Sequence, residues 1–228
     1  MELELKKECL DTYELGEPQT LTQEETAETI VPDYCPDIAR IISAEGVVCL
    51  HGGTEQDGVT GTVRVTVLYT PENESGVRAL EFAMPFSAQG EGLAGCAHVV
   101  VETEIELLES RMLNPRKIFT RCKLVTHLAG CRKVCLTISS DAETDPALLV
   151  EKRCCGQTVS LLRQVAEKDL TFSETMSLSL GREGAAELLH CRANGIVTET
   201  KAIGNKLIFK GVFLVSALYR TIGGQLGS

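Results

Sequence analysis

Aromatic residues are scarce in this chain, with four Tyr, six Phe and no Trp among 228 residues. That argues against the stacking platforms on which single-stranded nucleic acids are held. It also leaves few rings for a saccharide surface, chiefly Tyr34, Tyr69 and Phe86. Positive charge is in deficit. The net charge is −10, and an acidic surface repels a phosphate backbone, so nucleic acid is not expected as a partner. No apolar run approaches the ~18 residues of a membrane-spanning helix. The first ten residues, MELELKKECL, hold no apolar signal core. A cytosolic protein is therefore expected. Catalytic signatures are missing too: no GxGxxG, no phosphate-binding GxxxxGK, no GxSxG and no HExxH. The four histidines, His51, His98, His127 and His190, are scattered along the chain.

What the chain does have is enough apolar residue to build a core. Hydrophobic residues make up 43% and charged residues 24%, which excludes global disorder. Ten cysteines are present, at 9, 35, 49, 96, 122, 131, 135, 154, 155 and 191. Without an export signal, free thiols are the expected state. The closest spacings are Cys131-x3-Cys135 and the vicinal Cys154-Cys155. Neither is the CxxC pair of a zinc ribbon. Cys131 and Cys135 on one strand would stand about 13 Å apart at ~3.3 Å per residue, too far to share an ion. No metal and no cofactor are expected, and most of these thiols read as small buried hydrophobes.

The pattern along the chain is that of strands. Residues 2–15 alternate loosely, and residues 16–30 are polar, either extended or a loop. The clearest strand is GTVRVTVLYT at 61–70, with Val63, Val65 and Val67 on one face and Thr62, Arg64 and Thr66 on the other. A turn at 71–76 leads to a strand over 77–86, where Pro85 suggests an edge position or a strand end. After the Gly-rich link 90–95 come strands at 99–108, 118–128 and 132–139, with a turn at 111–117. Glu102, Glu104 and Glu106 form an acidic stripe whose ordinary explanation is a solvated strand face. Asn114, Pro115, Arg116 and Lys117 make a basic turn, for which a plain turn is the ordinary explanation and docking of an acidic partner the sharper one. His98 and His127 could face each other across neighbouring strands.

The most distinctive run is ETIVPDYCPDIARIISAEGVV at 28–48. Pro32 holds Val31 extended. Pro36 suits the first position of a helix, with Cys35 as N-cap and Asp37 in the first turn. Ile38, Ile41 and Ile42 then share an apolar face, and Gly46 ends the helix. The spacing thus predicts a short helix lying across a sheet. Asp33 and Asp37, four apart around a proline, are a weak acid/base signal beside that plain structural role.

From Leu149 the chain starts again. Glu2 set against Glu151 keeps the halves in register, without a gap, to Gly46 and Gly195. Ile41 then falls on His190, unless two residues slip. After one inserted residue, Gly61 falls on Gly211 and Tyr69 on Tyr219. A strand-turn-strand recurs with Gly204-Asn205 in the turn. The PDYCPD motif has no second copy, and the equivalents of the later strands are missing from the repeat. Its hairpin is expected to leave an open edge, completed by further chain or by another molecule.

The run at 28–48, the hairpin ending VRVTVLYT, the strand ALEFAMPFS and the turn SRMLNPRKI together resemble the SPOCS (DUF3794) domain family of SipL-like spore-coat assembly proteins in clostridia. The resemblance covers residues 2–138, and 149–222 is similar to the start of another such domain. It implies a non-enzymatic adaptor in the mother-cell cytoplasm, at the forespore surface. Its implied partner is the coat basement-layer ATPase, stage IV sporulation protein A. The motif positions it singles out as binding candidates are Pro32, Asp33, Tyr34, Cys35, Pro36, Asp37, Asn114, Arg116 and Lys117. The expected fold is mainly β. It comprises two tandem β-sandwich or barrel-like units, 1–146 and 147–228, each with a short helix and the second incomplete. Self-association through open sheet edges is a further expectation. Two other readings compete: a polysaccharide- or cell-wall-binding β module, and a cysteine- or metal-dependent enzyme.

Overall fold

The computed structural model describes residues 4–51, 58–143, 158–165 and 184–228, with positions 151, 153, 156, 171 and 173–175 besides. The described residues are almost entirely strand: β1 (Glu4–Leu15), β2 (Gln19–Ile30), β3 (Ile38–His51), β4 (Gly58–Pro71), β5 (Arg78–Gln89), β6 (His98–Asn114), β7 (Lys117–Glu143), β8 (Ala185–Ile203), β9 (Lys206–Thr221) and β10 (Leu226–Gly227).

β7 is the spine. It is a single strand of 27 residues, where the sequence suggests two. Its first half pairs with β6 on one edge and β2 on the other, and its second half pairs with β1. β1 and β2 run head to tail along one edge. At the break the amide of Gly16 donates to the carbonyl of Gly130 at 2.8 Å. Beyond the sandwich, β1 and the end of β7 form a two-stranded ribbon. Cys9 and Cys135 are joined there as a disulfide, with Cα atoms 5.6 Å apart. The free-thiol expectation fails for this pair because neighbouring strands bring the two side chains together.

The second sheet is the antiparallel meander β3-β4-β5. It packs on β2, β7 and β6 through the alternating inward faces the valines forecast. Val63, Val65, Val67 and Tyr69 of β4 and Met84 and Phe86 of β5 meet Ile118, Cys122 and Leu124 of β7. Each such side chain, fully buried, contributes roughly 1.5–3 kcal/mol. β3 also lies along β6, and β5 along β2, so the sandwich is nearly closed into a barrel. Gly46 permits the first approach. A Cβ there would stand 2.8 Å from Ile105 Cδ1 and 3.1 Å from Leu108 Cδ2. Pro85 lies inside β5, the outer strand of its sheet, so of the two readings the edge position holds and the strand end does not.

The predicted helix is absent; no helix occurs among the described residues. Residues 38–51 are β3, and its pairing with β4 shifts between Ile38 and Arg40 and again between Ile41 and Ser43. Each bulge inserts one residue. Inward positions therefore fall at Ile38, Ile41, Ala44 and Val48, with Ile42 left outside. The bulges stretch a period of two into one of three, which imitates a helical face.

β8, β9 and β10 form a separate three-stranded sheet. Its hairpin repeats β3 and β4 in detail. Leu188 pairs with Tyr219 as Ile41 pairs with Tyr69, and Ala185 pairs with Thr221 as Ile38 pairs with Pro71. Register shifts follow both positions in both hairpins. The two-residue slip is thus the correct alignment, and Gly46 corresponds to Ala193 rather than Gly195. Gly227 pairs with Tyr219 as Arg78 does with Tyr69, so β10 stands where β5 begins. The hairpin rests on the first sandwich through Leu189, which is buried among Leu68, Val77 and Ala79.

Candidate functional site

The two motif segments meet at one end of the sandwich. Residues 31–37 arch from β2 in one sheet to β3 in the other, with Val31 and Ile38 fully buried as anchors. Between them the amide of Cys35 donates to the carbonyl of Pro32 at 2.9 Å. This closes a four-residue turn with Asp33 and Tyr34 at its centre. Pro36 and Cys35 therefore finish a turn rather than start a helix.

The β6–β7 turn holds this arch from below. The carbonyl of Arg116 accepts from the amide of Val31, and that of Pro115 accepts from the amide of Ile38, both at 2.9 Å. The Arg116 guanidinium then enters the arch. Nη1 donates to the Cys35 carbonyl at 2.8 Å and to Asp37 Oδ1 at 3.1 Å. Nη2 donates to the Val31 carbonyl at 2.8 Å and to Asp33 Oδ1 at 3.1 Å. The planar fork of arginine suits four acceptors placed in this way. Asn114 fixes the turn itself, its Oδ1 accepting from the Arg116 amide at 2.9 Å. Lys117 takes no part in the arch; its ammonium pairs with Glu28 on the outer face.

Two further contacts tie the arch to the second sheet. Tyr69 Oη donates to the Pro36 carbonyl at 3.3 Å, and the Glu72 amide donates to the Asp37 carbonyl at 2.9 Å. Burial, reinforced by the neighbouring Cys35, pushes the Tyr69 phenol up to about 12. Nothing in the local pattern hints at this role, since Tyr69 closes a valine alternation as any core residue would.

Both carboxylates of the motif thus face one guanidinium. The arrangement is a brace. Two side chains of the motif stand in solvent: Asp33, which still reaches Arg116, and Tyr34, at the apex of the turn and 88% exposed. Ile30, Met112 and Leu113 are exposed apolar residues at the same end.

The remaining sequence candidates are dispersed. His127 hydrogen-bonds Thr20 at 3.0 Å, and His98 packs beside the Tyr13 ring. The two histidines do not face each other, because His98 pairs with Cys131 and His127 with Glu102. In the acidic stripe, Lys123 holds Glu106 at 2.9 Å on the open face of the sheet. A cleft of about 450 Å³ lies between the second sheet and the β8–β9 hairpin, lined by Glu45, Cys49, Arg64, Glu81, His190 and Cys191. His190 Nε2 is 3.0 Å from Glu45 Oε2. Among the described residues, no three His, Cys, Asp or Glu side chains are grouped so as to hold a metal ion. Compared with known proteins, the chain matches no family model, no curated protein and no solved structure.

Proposed function

We propose that this chain is a non-enzymatic adaptor of spore-coat assembly, of the SPOCS kind its sequence resembles. It acts at the forespore surface from the mother-cell cytoplasm by binding the coat basement-layer ATPase. The observation that carries the reading is the braced arch. Two motif segments, remote in sequence, are joined through Arg116, and the result is a rigid turn that presents Tyr34 to solvent. An exposed aromatic on a preorganised loop is an economical contact, because little conformational freedom is lost on binding. Pro32, Asp33, Cys35, Pro36, Asp37, Asn114 and Arg116 shape the arch, and Tyr34 is the contact. Lys117 lies outside this set.

Direct titration of the purified chain against the recombinant ATPase tests the proposal. Tyr34→Ala is expected to weaken binding at least about tenfold, a loss of ~1.4 kcal/mol, with an unchanged melting temperature. Absence of binding by the parent chain would reject the partner. Undiminished binding by Tyr34→Ala would reject the arch as the contact.

A further inference from the structure

Cys9 and Cys135 lie in the part of the fold that the core does not hold. β1 and the end of β7 run on beyond the sandwich as a ribbon. Among the described residues, none of 4–11 or 135–143 belongs to a buried cluster. The last anchors of β1 stand nearer the sandwich. There the Tyr13 amide and the Thr12 hydroxyl both donate to the Leu162 carbonyl, at 2.7 and 3.0 Å. From Asp11 back to Glu4, every strand pairing among the described residues is with β7, and the register shifts between Lys6 and Lys7. Two strands without a third, and without a face packed on a core, are marginal in water. Leu10 and Leu136 are the one cross-strand pair of large apolar side chains in this stretch, and Leu136 is exposed.

The disulfide is the covalent tie of this ribbon. Cys9 stands opposite Thr137 and Cys135 opposite Asp11, so the link runs diagonally between the strands. It joins residues 126 apart in sequence, and a tie of that span removes much of the freedom of an open chain. Its sulfurs are also within reach. Both cysteines are exposed, whereas Cys122 and Cys131 are buried. Exchange requires a thiolate to approach one sulfur of the link, so access selects this pair.

We infer that Cys9–Cys135 is a reversible redox site, and that its state decides whether β1 from Glu4 to Asp11 stays paired with β7. Its reactants are small thiols and small disulfides. In the oxidising direction one protein thiolate attacks the small disulfide. That S–S bond breaks, a mixed disulfide forms and one small thiol leaves. The second protein thiolate then attacks the mixed disulfide and releases the other small thiol. Two protein thiols are thus oxidised to one disulfide while one small disulfide is reduced to two thiols, and the two protons pass to the departing thiolates. In a thiol-rich compartment the reverse reaction opens the link. The inference is independent of the coat-assembly reading.

Glutathione, reduced and oxidised, is the probe. The full chain is equilibrated with graded ratios of the two, trapped by alkylation and mapped by mass spectrometry, with amide exchange followed on the same samples. A linked peptide joining Cys9 to Cys135 is expected in excess oxidised glutathione and is expected to vanish in excess reduced glutathione. Amide exchange over residues 4–11 should be at least about tenfold faster in the reduced chain, while residues 61–70 of β4 exchange alike in both states. Cys9→Ser and Cys135→Ser, both at exposed positions, should exchange as the reduced chain does in either buffer. A link that never forms, or that persists in excess reduced glutathione, overturns the proposal. Equal exchange over residues 4–11 in the two states, or serine variants as protected as the oxidised chain, overturns it as well.

Discussion

Arg116 Nη1 lies 3.1 Å from Asp37 Oδ1, joining residues 79 apart in sequence. The ion pair is half-exposed and contributes little by itself. The backbone is what matters, since the same guanidinium satisfies the carbonyls of Val31 and Cys35. Arg116→Met is therefore expected to cost about 2–4 kcal/mol, because it leaves partly buried acceptors unpaired. Arg116→Lys recovers little of this, since one ammonium cannot span four acceptors. Urea denaturation of the three proteins checks the ranking; equal midpoints for arginine and methionine would show that the brace is dispensable.

Asp33 sits at the opposite extreme. Its side chain is fully exposed although it touches Arg116. Asp33→Asn is expected to shift stability by less than about 0.5 kcal/mol, the ordinary range for a surface change. Asp37→Asn costs more, because Asp37 is the less exposed partner. A thermal melt that ranks the two in the reverse order would contradict this assignment.

Tyr69 gives the fold an alkaline weakness. Its phenol is raised from 10.0 to about 12 by burial and by the adjacent Cys35, so the folded chain keeps a proton that the unfolded chain releases. Its contribution is complete below pH 10 and is lost as the pH rises towards about 12. Cys122 acts in the same sense over a lower window, its thiol raised by burial from 9.0 to about 11. Tyr69→Phe should flatten the stability profile above pH 10, while losing about 1 kcal/mol at neutral pH with the bond to Pro36. Urea midpoints from pH 8 to 11.5, compared with the parent, decide the matter.

Much of the architecture was legible in the sequence. The valine alternation of β4 is a period-two signal, Pro85 marks an edge because it lacks a donor, and the hairpin recurs as similar residues about 150 positions on. What misled was β3. Ile38, Ile41 and Ala44 share a face because two bulges insert residues between them, and spacing by threes reads as helix when the partner strand is unseen. The arch had the opposite history. Its residues stood out, but their meeting with Arg116 rests on the β6–β7 turn reaching across the sandwich, and no local pattern encodes that. β7 misled in its own way: the sequence suggests a break between 128 and 132, but the strand runs on because its pairing passes from β6 and β2 to β1, and that handover has no local signal.

Ile41→Asp tests the strand assignment. Ile41 packs against the core cluster from within β3, and a carboxylate there would face apolar side chains without a partner. The expected cost is about 3 kcal/mol or more. Ile42→Asp, one residue on but turned outwards by the bulge, should cost less than about 1 kcal/mol. A helix over the same residues would penalise the two alike, so the difference between their denaturation midpoints separates strand from helix.

Gly61 and Phe86 make a coupled pair. They face each other across β4 and β5, and the Phe86 ring lies over the glycine, so that a Cβ at residue 61 would stand 2.5 Å from Phe86 Cε1. The carbonyl of Cys49 closes the other side at 3.0 Å, and backbone cannot give way as a side chain can. Gly61→Val is expected to drive the ring out of the core and cost about 2–4 kcal/mol. Phe86→Leu removes the obstructing ring and leaves a small cavity of its own. The double variant should therefore be less unstable than the two single losses added together, by about 1 kcal/mol or more. Strict additivity in a double-mutant cycle would mean that the ring does not need the glycine beneath it.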